Sequence, residues 1–141
     1  MNPFKIPIPA VLTAGFFLTA CGLSDAPEAR ARMNCHNNLK NIGMAVNLYS
    51  LDNQNMAPKD LLQLTNYLTS PVVLLCPGDT TKTTPKNESW SSFDPKNVSY
   101  KLVSPGARND TTATNELVWC PIHNCVSYKD GHSITTKTKK Q

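Results

Sequence analysis

The sequence predicts an α+β domain in which one long amphipathic helix packs on a small antiparallel sheet and disulfides staple the two together. Three observations carry this. Apolar residues recur at helical spacing between Cys35 and Tyr49, the second half of the chain breaks into short β-branched runs between turn residues, and four cysteines lie within the candidate domain.

The helix comes first. Cys35, Leu39, Ile42, Val46 and Tyr49 follow one another at steps of four and three, which puts them on one face and predicts a helix from Pro27 to Asp52. Pro27 suits a first turn, because its missing N–H would have no helical partner there. Asp52-Asn53-Gln54-Asn55 ends the helix, and Pro58 opposes its continuation. A shorter helix is predicted from Asp60 to Leu68 on Leu61, Leu64 and Leu68, with Ser70-Pro71 as its stop. Val72-Val73-Leu74-Leu75 then reads as a strand halted by Cys76-Pro77-Gly78-Asp79.

Thr80 to Asn97 shows no period and is expected as a surface loop that Trp90 and Phe93 pin to the core. Val98–Val103 and Glu116–Trp119 are further strand candidates. Val126 and Tyr128, then Asp130-Gly131, then Ile134 and Thr136 form the clearest signal, an Asp-Gly turn between alternating residues that predicts a hairpin. No internal repeat is visible.

Ahead of this domain, Lys5 is the only charged side chain before an uncharged stretch from Ile6 to Ala20. That stretch is short of the roughly 20 apolar residues a spanning helix needs. It closes on Leu18-Thr19-Ala20-Cys21, which resembles the lipobox of bacterial lipoproteins. The resemblance implies a signal peptide over residues 1–20, cleavage before Cys21, a diacylglyceryl group on the Cys21 thiol and an acyl chain such as palmitate on its amine. An ordinary signal peptide with a chance cysteine is the competing reading. Several acyl chains exceed the two signals that stable anchoring takes. Residues 21–26 are then a lipidated tether, 27–136 the globular domain and 137–141 a basic tail. Gly22 after the cysteine, in place of an aspartate, favours the outer membrane of the cell envelope, facing the periplasm.

The 141 residues carry a formal charge of +4, and loss of residues 1–20 removes Lys5 and leaves +3. Lys129, Lys137, Lys139 and Lys140 crowd the end, and no aromatic residue interleaves with the last lysines to stack bases. A solvated tail is therefore expected, and nucleic acid is not an expected partner.

With Cys21 given to lipid, Cys35, Cys76, Cys120 and Cys125 remain, an even number for an oxidising compartment. Two disulfides are expected, with three pairings open. Cys76–Cys120 and Cys35–Cys125 form the first choice, since two Cys-Pro turns end candidate strands and the second bridge joins sheet to helix. A metal competes for the same residues. Cys120-x-x-His123-x-Cys125 gathers three donors for tetrahedral zinc, with Cys76, Cys35 or His132 as a possible fourth. The chain lacks Gly-x-Ser-x-Gly, Cys-x-x-Cys, His-Glu-x-x-His and a glycine-rich phosphate loop, so no catalytic residues are expected. His36 reads as a solvated helix histidine.

Asn38-Leu39-Lys40-Asn41-Ile42-Gly43-Met44-Ala45, Tyr49, Asp52-Asn53, Pro58, Tyr67-Leu68, Cys76-Pro77-Gly78-Asp79, Ser99-Tyr100, Cys120-Pro121-Ile122-His123 and Asp130-Gly131-His132 follow in an order that resembles type II secretion pseudopilins. More narrowly they resemble prepilin-like proteins with a carboxyl-terminal His…Asp-Gly motif. The resemblance implies a helix-on-sheet fold, and in that family a leader ending in glycine precedes an apolar spine that polymerises. Here Gly15-Phe16-Phe17-Leu18-Thr19-Ala20 retains a trace of that site, with Ala20 where a glutamate would stand, and a lipobox replaces the spine. Six residues separate His123 from Asp130, against nine in the family motif. Major pseudopilins bind calcium in a carboxyl-terminal loop, so the resemblance makes Asp130 a calcium candidate, although the hairpin alone explains Asp130-Gly131.

The function expected is that of a lipid-anchored, non-catalytic, pseudopilin-like structural or adaptor module that contacts envelope proteins of a secretion or pilus-like assembly. The alternative is a metal-binding envelope lipoprotein that holds zinc through Cys120, His123 and Cys125. A folded paralogue without a partner is a third reading.

Overall fold

The computed structural model describes residues 26–84, 88–110 and 115–136. The expected signal peptide, Cys21, nearly all of the tether and the basic tail lie outside them. No helix among the described residues is long and apolar enough to cross a membrane.

Helix α1 spans Ala26–Asp52 and buries Cys35, Leu39, Ile42, Gly43, Ala45, Val46 and Ser50, the face expected from the spacing of its apolar residues. Tyr49 packs against the same core from its edge. The opposite face leaves Met33, Met44, Leu48 and Leu51 more than half exposed, and at 3.6 residues per turn these four fall within about 60° of arc. Past Asp52 the chain leaves the helix through Gln54 and Asn55, both at positive φ (56° and 63°), and the Asn55 amide donates back to the Ser50 carbonyl at 2.8 Å.

The second helix is only one turn of 3₁₀, Leu61–Leu64, closed by a capping box in which Asp60 and Gln63 satisfy each other's backbone N–H groups. Leu61 and Leu64 are buried as expected. The strand expected at Val72–Leu75 is absent. Pro71–Leu74 is instead a second 3₁₀ turn, with the Ser70 side chain accepting from the Val72 amide and Pro71 in its first turn. Ser-Pro, read as the stop of one helix, is here the start of the next turn, and this local capping outweighs the β-propensity of two valines. Among the described residues the stretch expected as a loop carries two further short 3₁₀ turns, Trp90–Ser92 and Pro95–Asn97, and Trp90 and Phe93 pack against the core and meet each other edge to face.

The sheet is an antiparallel meander of β1 (Lys101–Leu102), β2 (Glu116–Cys120), β3 (Cys125–Tyr128) and β4 (Ser133–Thr135), in that spatial order. The Asp130-Gly131 hairpin joins β3 to β4, with Gly131 at φ +86° where a side chain is disfavoured. A second hairpin between β2 and β3 places Cys120 directly opposite Cys125, and Asn124 turns it at φ 51°. Helix α1 lies across β2, β3 and β4. Gly43 permits the close approach, since a Cβ there would come within 3.2 Å of Ser127 Oγ. The fold is therefore α+β, with helix, sheet and 3₁₀ turns meeting where the cysteines lie.

Among the described residues no two cysteines lie at disulfide-bonding distance. All four described cysteines are free thiols, and the 3.5 Å between Cys76 Sγ and Cys120 Sγ is far from the roughly 2.05 Å of a disulfide. Neither expected bridge, Cys76–Cys120 or Cys35–Cys125, is formed in this structure. Cys125 Sγ faces His36 Nε2 at 3.4 Å.

Candidate metal centre

Three segments deliver four donors to one point. Cys35 hangs from the buried face of α1, Cys76 opens the turn after Pro71–Leu74, Cys120 ends β2, and His123 sits in the β2–β3 hairpin. Their ligand atoms, three Sγ and one imidazole nitrogen, all lie within 4.8 Å of one another, and all four residues are buried. Zinc bound tetrahedrally at about 2.3 Å to sulfur and 2.0 Å to nitrogen spaces its ligand atoms about 3.5–3.8 Å apart. Cys76–Cys120 at 3.5 Å and Cys76 Sγ to His123 Nδ1 at 3.1 Å already approach that spacing.

Two Cys-Pro turns aim backbone N–H groups at the sulfurs. After Cys76, Pro77 contributes no N–H, the Asp79 amide closes the turn on the Cys76 carbonyl at 2.9 Å, and the Gly78 amide donates to the sulfur. After Cys120 and Pro121, the amides of His123 and Ile122 both donate to the Cys120 sulfur. Convergent N–H donors favour a thiolate over a thiol. Hydrogen bonds from Cys35 and Cys76 are the largest influence on Cys120 and hold its thiol well below the usual range, with those amides adding to the effect. The same bonds, together with burial, push Cys35 and Cys76 up. Tyr100, 3% exposed, points its hydroxyl at Cys35 Sγ at 3.7 Å and backs the site.

This set revises the ligands expected from Cys120-x-x-His123-x-Cys125. Cys120 and His123 are in the cluster, and Cys76 and Cys35 complete it. Cys125 stands outside. Its sulfur meets the His123 carbonyl at 3.3 Å, His36 Nε2 at 3.4 Å and Thr135 Oγ1 at 3.5 Å. His36, expected in solvent, is half-buried on β4, with Nδ1 2.9 Å from Ser133 Oγ and Nε2 3.2 Å from Thr135 Oγ1. Burial lowers its pKa, and nearby Lys40 adds to that, while burial raises that of Cys125. Both shifts favour a neutral pair, the reverse of an activated thiolate.

His132, the other possible ligand, stacks on the Tyr128 ring at 4.3 Å, away from the sulfurs. Its Nδ1 pairs with Asp130, whose carboxylate is exposed. Among the described residues Asp130 belongs to no group of three or more His, Cys, Asp or Glu side chains that could hold a cation, and calcium needs six to eight oxygens. A surface cavity of about 400 Å³ lined in part by Asn34, Asn38, Cys76 and Asp79 borders the cluster at Cys76.

Matched against family models, curated proteins and solved structures, the chain returns no match in any of the three comparisons.

Proposed function

We propose that this chain is a non-catalytic envelope module whose core is closed by a Cys₃His zinc centre made of Cys35, Cys76, Cys120 and His123. The observation that carries the reading is the meeting of these four buried donors from the helix, the Cys76 turn and the β2–β3 hairpin. Three sulfurs and one imidazole suit zinc rather than calcium or magnesium. Four protein ligands fill a tetrahedron and leave no position for water or substrate, which is the arrangement of a structural site. Bound zinc supplies cross-linking of the helix, the Cys76 turn and the β2–β3 hairpin, and holds three thiols as thiolates out of reach of oxidants.

The lipid anchor on Cys21 belongs to the same proposal, resting on Leu18-Thr19-Ala20-Cys21 after an uncharged stretch. So does the adaptor role. One long helix across an antiparallel meander supports the pseudopilin likeness, and the exposed row Met33, Met44, Leu48 and Leu51 supports contact with an envelope protein of a secretion or pilus-like assembly.

Cobalt substitution tests the centre. The full chain titrated with cobalt(II) should develop thiolate-to-metal charge transfer and tetrahedral d–d bands at one equivalent, and Cys125→Ser should leave them in place while Cys76→Ser weakens them. Octahedral, sulfur-free cobalt would end the zinc reading. Palmitate incorporation that is lost in Cys21→Ser tests the anchor, and unlabelled wild-type protein would remove it.

A further inference from the structure

His123 is the one ligand with two ring nitrogens to offer, and they sit in different surroundings. Nδ1 faces the sulfurs, 3.1 Å from Cys76 Sγ. Nε2 is buried and makes no hydrogen bond among the described residues, although Glu28 Oε1 lies 3.5 Å away, just beyond a well-formed bond. A buried N–H left without an acceptor is costly, and a metal-bound histidine commonly donates its other N–H to a carboxylate that fixes the ring. Glu28 sits in the first turn of α1 with its side chain 59% exposed, so it has the freedom to close the remaining half ångström.

We propose that His123 holds the metal through Nδ1 and that Glu28 is its positioning residue, accepting the Nε2–H and fixing ring and tautomer. The inference rests on the zinc reading above and adds the donor atom and its support. The helix dipole and the Arg32 side chain, 3.5 Å from the same oxygen, account for an acidic residue in a first turn but not for its place beside the one unpartnered nitrogen of the cluster. Metal loading then tightens the first turn of α1, where the folded domain meets the expected tether.

Two measurements on the zinc-loaded full chain decide it. Long-range ¹⁵N–¹H correlation spectra should show His123 protonated on Nε2 and metal-bound on Nδ1. In chelator competition, Glu28→Ala should weaken zinc binding about tenfold, Glu28→Gln should restore most of the loss because its amide oxygen still accepts, and Arg32→Ala should leave affinity unchanged. Zinc bound through Nε2, or Glu28→Ala binding as tightly as wild type, overturns this inference and leaves the zinc centre standing. A chain that binds no zinc overturns both.

Discussion

Gly78 is the tightest point beside the proposed ligands, and Gly78→Ala puts the geometry to a demanding test. A Cβ at this position would lie 2.7 Å from both Cε1 and Nε2 of His123 and 3.2 Å from Ile122 Cγ2. Ordinary contact begins near 3.4 Å, so the ring must retreat by about 0.7 Å, several times the ±0.2 Å that a metal–ligand bond tolerates. The ring has little room to do so, because the His123 side chain is 2% exposed. Overpacking of this kind costs about 1–3 kcal/mol. If the strain falls on the metal-bound state, zinc affinity drops by about five- to 150-fold. Chelator competition on the wild type and the variant reads the ratio directly, and thermal unfolding without metal separates metal loss from general damage. A Gly78→Ala protein with wild-type affinity and wild-type apo stability would refute the placement of His123 against this turn.

The remaining predictions concern the fold and its metal. Ile42→Ala, at a fully buried position of α1, should cost about 2–5 kcal/mol in denaturant unfolding, whereas Leu51→Ala, 73% exposed, should stay within about 0.5 kcal/mol. The reverse order would mean that the wrong face of α1 meets the sheet. Chelation of zinc from protein held with free zinc at about a hundred times Kd should remove about 2.7 kcal/mol, about 10 °C in Tm for a domain of this size. An unchanged Tm would argue against a metal that supports the fold. Once zinc is gone, a mild oxidant should join Cys76 to Cys120, whose sulfurs start 3.5 Å apart, each bridge releasing two protons and two electrons. Peptide mapping should find that bond in oxidised apo-protein and not in zinc-loaded protein treated alike.

Much of the fold was legible in the sequence because the decisive signals are local. Cys35, Leu39, Ile42 and Val46 mark the buried face of α1 through their spacing alone, and Asp130-Gly131 marks its hairpin through turn chemistry. The stretch around Val72 was misread because Ser70-Pro71 ends one element and caps the next equally well, and a short apolar run does not choose between strand and turn without its neighbours. The metal centre was half legible. Cys120-Pro121-Ile122-His123 names two of the ligands, but Cys125, only five residues after Cys120, was the natural third by proximity. The chain instead turns Cys125 toward His36 and brings in Cys35 from α1 and Cys76 from the turn after Pro71–Leu74, far apart in sequence, which no spacing rule reveals. The signal that was present is the repeated Cys-Pro turn at Cys76 and Cys120. Each proline withholds an N–H, and the amides that follow converge on the sulfur.

Native mass spectrometry of the full chain, with thiols counted by alkylation after denaturation, tests the central claim most directly. The account predicts one zinc per chain, no disulfide, and loss of that zinc in the Cys120→Ser variant. A metal-free chain whose four domain cysteines are blocked as two disulfides until reduced would contradict it.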